Sequence, residues 1–190
     1  MKYSISTDKE NWLQISCEFQ PKKLGRLKIG LPIWRPGRYQ VQNFAKNIPE
    51  IKSFQGDQQI SIDKIESSVW VLNCTEIAPI TLEYTYFAVQ RDAGGSVANA
   101  DMLYINFVNC LVCPLGFENQ ACELRINFPG QWQFATSLTF KNKVCVYICL
   151  MCRSQKCRPV DMSTIFPFLY IFSSLFTSII LYVSLSFFSL

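Results

Sequence analysis

Two C-x-x-C pairs, Cys110-Leu-Val-Cys113 and Cys149-Leu-Met-Cys152, come closest in this chain to a metal-binding pattern. Paired C-x-x-C motifs can hold zinc tetrahedrally through four thiolates. Here the pairs lie far apart, and no glycine follows either one to form a knuckle. The first pair sits in a strand-like apolar run, where buried cysteines act as small hydrophobes. No cofactor is therefore expected. The chain also contains no histidine. That excludes Ser-His-Asp and Cys-His nucleophile pairs, and it excludes H-E-x-x-H zinc chemistry. Asp92-Ala-Gly-Gly95 lacks the Lys-Ser/Thr of a phosphate-binding loop and reads as a turn. Arg35 and Arg38 could fork onto a carboxylate. The plainer role for their stems is to cover Trp34 and Tyr39.

These residues belong to a chain that changes character near Phe140. The whole chain carries 18 Lys and Arg against 14 Asp and Glu. Residues 141–190 hold Lys141, Lys143, Arg153, Lys156 and Arg158 against Asp161 alone, so the formal charge of +4 sits entirely in the tail. The first 140 residues are neutral overall, and no basic patch there points to nucleic acid. The tail contains no Gly, Ala, Glu or Trp, and four of the nine cysteines fall between Cys145 and Cys157. About 140 residues can bury roughly two-thirds of their unfolded surface, enough for a core. The four tryptophans, Trp12, Trp34, Trp70 and Trp132, all precede the tail. Trp12, Trp70 and Phe128 are expected in the core.

The first 138 residues read as strands. Leu13, Ile15, Cys17 and Phe19 alternate with polar neighbours, as do Leu27, Ile29 and Leu31, and Leu124, Ile126 and Phe128. Period-two patterning marks half-buried strands of antiparallel sheets. The segment ITLEYTYFAV, residues 80–89, is rich in β-branched and aromatic residues. Pro21, Gly25, Gly56-Asp57, Gly94-Gly95 and Pro129-Gly130 mark turns. A mainly β, antiparallel sandwich or saddle is predicted, followed by a C-terminal hydrophobic helix. Residues 2–13 contain no apolar run that reads as a secretory signal. A disulfide framework is accordingly not expected.

The run LPIWRPGRYQVQNFAKNI, residues 31–48, breaks regular structure at Pro32, Pro36 and Gly37 and anchors it with large apolar side chains. It reads as a shaped corner between strands. It resembles the signature of the N-terminal β domain of the PDZ-containing glycyl aminopeptidases, which are zinc metallopeptidases. The matching residues are Trp34, Arg35, Pro36, Gly37, Tyr39, Phe44 and Asn47. KYSIS (2–6) resembles the family's opening strand, and YTYFAVQRD (84–92), LYINFVNCL (103–111), CELRINF (122–128) and QFATS (133–137) resemble its later landmarks in the expected order. The resemblance covers residues 1–138. It implies that Asp92, Asn106 and Asn109 form a candidate peptide-cleft wall. It also implies that a zinc-bearing H-E-x-x-H domain should follow, and none is read here. The expectation is thus a domain truncated before its catalytic partner. It would be non-catalytic and would act at most as a structural or interaction module. Two alternatives stand beside it. One is a peptidase subunit completed in trans by a zinc-bearing chain. The other is a tail-anchored membrane protein binding peptide termini.

After residue 138 the sequence divides into a basic, Cys-rich linker, residues 139–164, and a transmembrane candidate between Ile165 and Leu190. The latter has 26 residues and no charge. As a helix it would reach about 39 Å, longer than the ~30 Å hydrocarbon core. Lys156 and Arg158 on its N-terminal side would keep the β domain in the cytoplasm. The competing reading is a tail from a shifted frame or unspliced sequence, rich in Phe, Leu, Ser, Ile, Tyr and Cys. Under that reading the protein is cytoplasmic.

Overall fold

The computed structural model describes residues 1–34, 40–92 and 94–128, and the backbone of residues 133–136, 140–141, 144–148 and 178–182. Three sheets make up the architecture. The largest has eight strands in the order β14 (Phe140–Lys141), β15 (Val144–Ile148), β12 (Ala121–Ile126), β1 (Lys2–Lys9), β2 (Trp12–Phe19), β8 (Ile80–Phe87), β4 (Ile51–Gln55) and β5 (Gln58–Ile60). A second sheet runs β11 (Cys113–Pro114), β3 (Gly25–Gly30), β7 (Val69–Cys74) and β6 (Ile62–Glu66). The third runs β13 (Gln133–Thr136), β16 (Ser178–Tyr182), β10 (Met102–Asn106) and β9 (Val97–Ala98). A 3-10 turn, Phe44–Asn47, and one short helix, α1 (Phe107–Cys110), complete the described elements.

The expected alternation is present. Leu13, Ile15, Cys17 and Phe19 of β2 are buried, as are Ile80, Leu82, Tyr84 and Tyr86 of β8. Trp70, Leu72 and Cys74 of β7 meet them in one apolar cluster that also takes in Ile29, Leu103, Ile105 and Leu124. Phe128 packs half-buried against that cluster. The outer face of the large sheet is polar, with Lys2 and Glu18 paired at 3.7 Å and Arg125 and Glu123 at 3.5 Å. Both pairs are exposed and contribute little. Gly56 turns the β4–β5 hairpin at φ 58, and Asn11 turns β1 into β2 at φ 68. These conformations favour Gly and Asn.

Two expectations are corrected, and the antiparallel one holds with an exception. Trp12 is not in the core. It occupies the opposite phase of β2 from Leu13, and it stacks on Phe87 of β8 with ring centroids 4.9 Å apart. The sheets are mostly antiparallel, but β1 and β12 run parallel, pairing Lys2 with Glu123 through Ile5 with Ile126. No C-terminal hydrophobic helix is shown. Within residues 165–190 the described part, Ser178–Tyr182, is a strand with β10 on one side and β13 on the other. Its sequence, SIILY, is mostly β-branched and aromatic, which suits a pleated position. The rest of that segment lies outside the described residues. Among the described residues no helix is long and apolar enough to cross a membrane.

Candidate functional site

The three candidate wall residues come from one turn, one strand end and the short helix α1. Asp92 builds the turn after β8. Its Oδ1 accepts from Gly94 N–H at 2.7 Å, its Oδ2 accepts from Gln90 Nε2 at 2.8 Å, and its carbonyl accepts from Gly95 N–H at 3.1 Å. This is an Asx-type turn, in which a short acidic side chain replaces a backbone acceptor. Gly95 presses against Gln90 so closely that a Cβ would overlap the Gln90 carbonyl oxygen. The turn delivers Ser96, whose Oγ accepts from the buried Asn106 N–H at 3.0 Å. Asn106 ends β10 and leads into α1, where the Cys110 thiol points at the Asn106 carbonyl, 3.6 Å away. Asn109, fully buried on α1, donates from Nδ2 to the Gly94 carbonyl. Asn109 Oδ1 is buried with no hydrogen-bond partner among the described residues. A buried acceptor left bare costs about 1–3 kcal/mol. The structure thus joins the Asp92 turn to Asn106 through Ser96 and to Asn109 through Gly94.

Buried tyrosines of the large sheet fix the segment behind this wall. Tyr84 Oη donates to the Cys110 carbonyl at 2.9 Å and accepts from Val112 N–H at 3.2 Å. Tyr3 Oη donates to the Val112 carbonyl at 2.8 Å. Burial pushes the Tyr84 phenol well above its ordinary range. The neighbouring Cys17 and Cys110 thiols add to the rise, and the Val112 hydrogen bond opposes it. Burial likewise pushes the Cys110 thiol up. A raised pKa keeps that sulfur protonated, whereas a metal needs the thiolate. Cys110 and Cys113 are both fully buried, and the Cys113 thiol lies 3.5 Å from the Pro114 carbonyl. The second C-x-x-C pair lies outside the described residues. Among the described residues no three His, Cys, Asp or Glu side chains gather as a metal site.

The signature corner approaches the same core from the other direction. Leu31 N–H donates to the Ser68 carbonyl at 2.9 Å, and Gln42 N–H closes the loop base on the Ile33 carbonyl at 2.6 Å. Trp34 is half-buried and Phe44 is buried. Asn47 Nδ2 donates to Tyr86 Oη at 3.0 Å, tying the 3-10 turn to β8. Burial raises the Tyr86 phenol above its usual range, while this Asn47 bond pulls it down. Arg35, Pro36, Gly37, Arg38 and Tyr39 lie outside the described residues.

Sequence reasoning missed Tyr3, Tyr84, Tyr86 and Ser96. A signal for two of them existed: Tyr84 and Tyr86 share the inward phase of Ile80 and Leu82, and a buried phenol needs a partner.

Residues 2–148 match the model of the peptidase M61 N-terminal domain. The chain belongs to this family. A crystal structure of an aminopeptidase N family protein from Idiomarina loihiensis is similar at a TM-score of 0.74 and 15% identity, over 96% of this chain and 29% of that one. That likeness concerns the fold alone. Native yeast LTA4 hydrolase is matched at 8% identity and a TM-score of 0.33, over 96% of this chain and 28% of the other. The chain thus spans under a third of the length of either structure. No curated protein matches it. Residues 2–148 are thus the N-terminal domain of a peptidase family.

Proposed function

We propose that the chain is a non-catalytic structural or interaction module of an M61-type peptidase, which holds and positions but does not cut. The observation that carries this reading is the match of residues 2–148 to an N-terminal domain in a chain without histidine. The zinc implied by the family resemblance would need H-E-x-x-H imidazoles, and this chain has none to offer. The site's own geometry supports a holding role. Asp92 Oδ1 accepts from Gly94 N–H, Ser96 Oγ accepts from Asn106 N–H and Tyr84 Oη donates to the Cys110 carbonyl, so these side chains hold backbone and shape a wall rather than activate a nucleophile. The test is release of N-terminal glycine from glycyl peptides by the purified chain with added zinc. No release is expected, and release proportional to chain concentration would overturn the reading.

A second reading is a peptidase subunit completed in trans by a zinc-bearing chain, in line with the match of residues 2–148 to an N-terminal domain alone. Mixing the protein with a zinc-bearing M61 catalytic chain tests it. Activity above the sum of the separate chains is the expected result.

A further inference from the structure

β16 does not sit at a sheet edge. It pairs with β10 over five residues, from Met102 with Tyr182 to Asn106 with Ser178. On its other side it pairs with β13 over four, from Gln133 with Tyr182 to Thr136 with Ile179. Strands lie about 4.8 Å apart, so without β16 a gap one strand wide would separate β10 from β13. Both would present unpaired N–H and C=O groups into it. An interior position needs an apolar, β-branched segment without proline, and SIILY meets that requirement. The same five residues lie inside the uncharged run of residues 165–190. When they form β16, thirteen residues of that run precede them and eight follow. Neither remnant approaches the ~20 residues a membrane-spanning helix requires.

We infer that the third sheet contains a strand-acceptor slot between β10 and β13, which the chain fills with its own Ser178–Tyr182, and that docking there and spanning a bilayer are mutually exclusive fates of the tail. A tail drawn into lipid must become a helix, because backbone groups there have no other partner. The slot is then vacated next to Asn106. Open, it would accept an extended apolar segment by strand addition.

The test uses the full chain, with vesicles of phosphatidylcholine and phosphatidylglycerol as the probe. Hydrogen exchange is followed at residues 102–106 and 178–182. Without vesicles both stretches should be protected, and Ile180→Pro should speed exchange at 102–106 about tenfold or more while β2 and β8 stay slow. With vesicles the protein should float, and 102–106 should lose protection to a similar degree. Tyr104→Cys with Ile180→Cys, register partners, should lock the strand on oxidation and abolish flotation. Leu103→Cys with Leu181→Cys is the adjacent pair should the first not close. Three results would overturn the inference. They are flotation with 102–106 still protected, flotation of the locked protein, and failure of the unlocked protein to float.

Discussion

Replacing Tyr84 by Phe removes one oxygen and leaves two backbone groups without a partner. Tyr84 is 5% exposed, and its hydroxyl bridges the Cys110 carbonyl and the Val112 N–H. Each buried group stripped of its partner costs about 1–3 kcal/mol, so the pair should cost about 3 kcal/mol. The ring itself is retained, so no cavity term is added. For a domain of this size, each kcal/mol moves the midpoint by about 2–4 °C, giving a loss of about 6–12 °C. Tyr86→Phe is the matched control. It removes one bond, to the half-buried Asn47 amide, which can turn to water. About 1 kcal/mol is expected there. Urea titration of both variants beside the parent gives the comparison, with unchanged m-values showing that only stability has moved. A Tyr84→Phe loss no larger than that of Tyr86→Phe would refute the bridging role. The segment behind Asn109 would then be held by apolar packing alone.

The Tyr84 phenol and the Cys110 thiol are both raised in the folded state, chiefly by burial. Their stabilising share is therefore complete below the unfolded values, about 8.5 for Cys and 10 for Tyr, and is lost as pH rises above them. Stability should fall from about pH 9 upward, by about 1.4 kcal/mol per pH unit for each group engaged, and Tyr84→Phe should flatten the limb above pH 10. A flat profile from pH 8 to 11 would contradict this. Gly95→Ala should cost about 2 kcal/mol, because the new methyl meets the Gln90 backbone; thermal melts check it, and a neutral result means that the turn yields freely. Asn11→Gly should change stability by a few tenths of a kcal/mol and Asn11→Ala should lose about 1 kcal/mol, since φ is 68 there; equal midpoints for the two variants would exclude left-handed strain.

How much of this was legible in the sequence depended on whether the deciding interaction was local. The alternation of Leu13, Ile15, Cys17 and Phe19 is local, and it correctly gave the inward face of β2. The same period placed Trp12 in the outward phase, yet its size argued for the core; phase won, because a strand cannot turn one side chain inward without turning all of them. The parallel pairing of β1 with β12 joins residues more than a hundred positions apart, and no window of sequence contains it. The site divides along the same line. The Asp92 turn is readable from Asp-x-Gly-Gly, since its bonds close within three residues. Asn106 and Asn109 were reached through the family resemblance, and their partners Ser96 and Gly94 were not, because those contacts span ten and fifteen residues. The tail shows the limit most directly. An apolar run such as SIILY satisfies the requirements of a buried strand and of a lipid-facing helix equally well. What separates the two is the presence of β10 and β13 at strand spacing on either side, a condition set by residues up to eighty positions earlier.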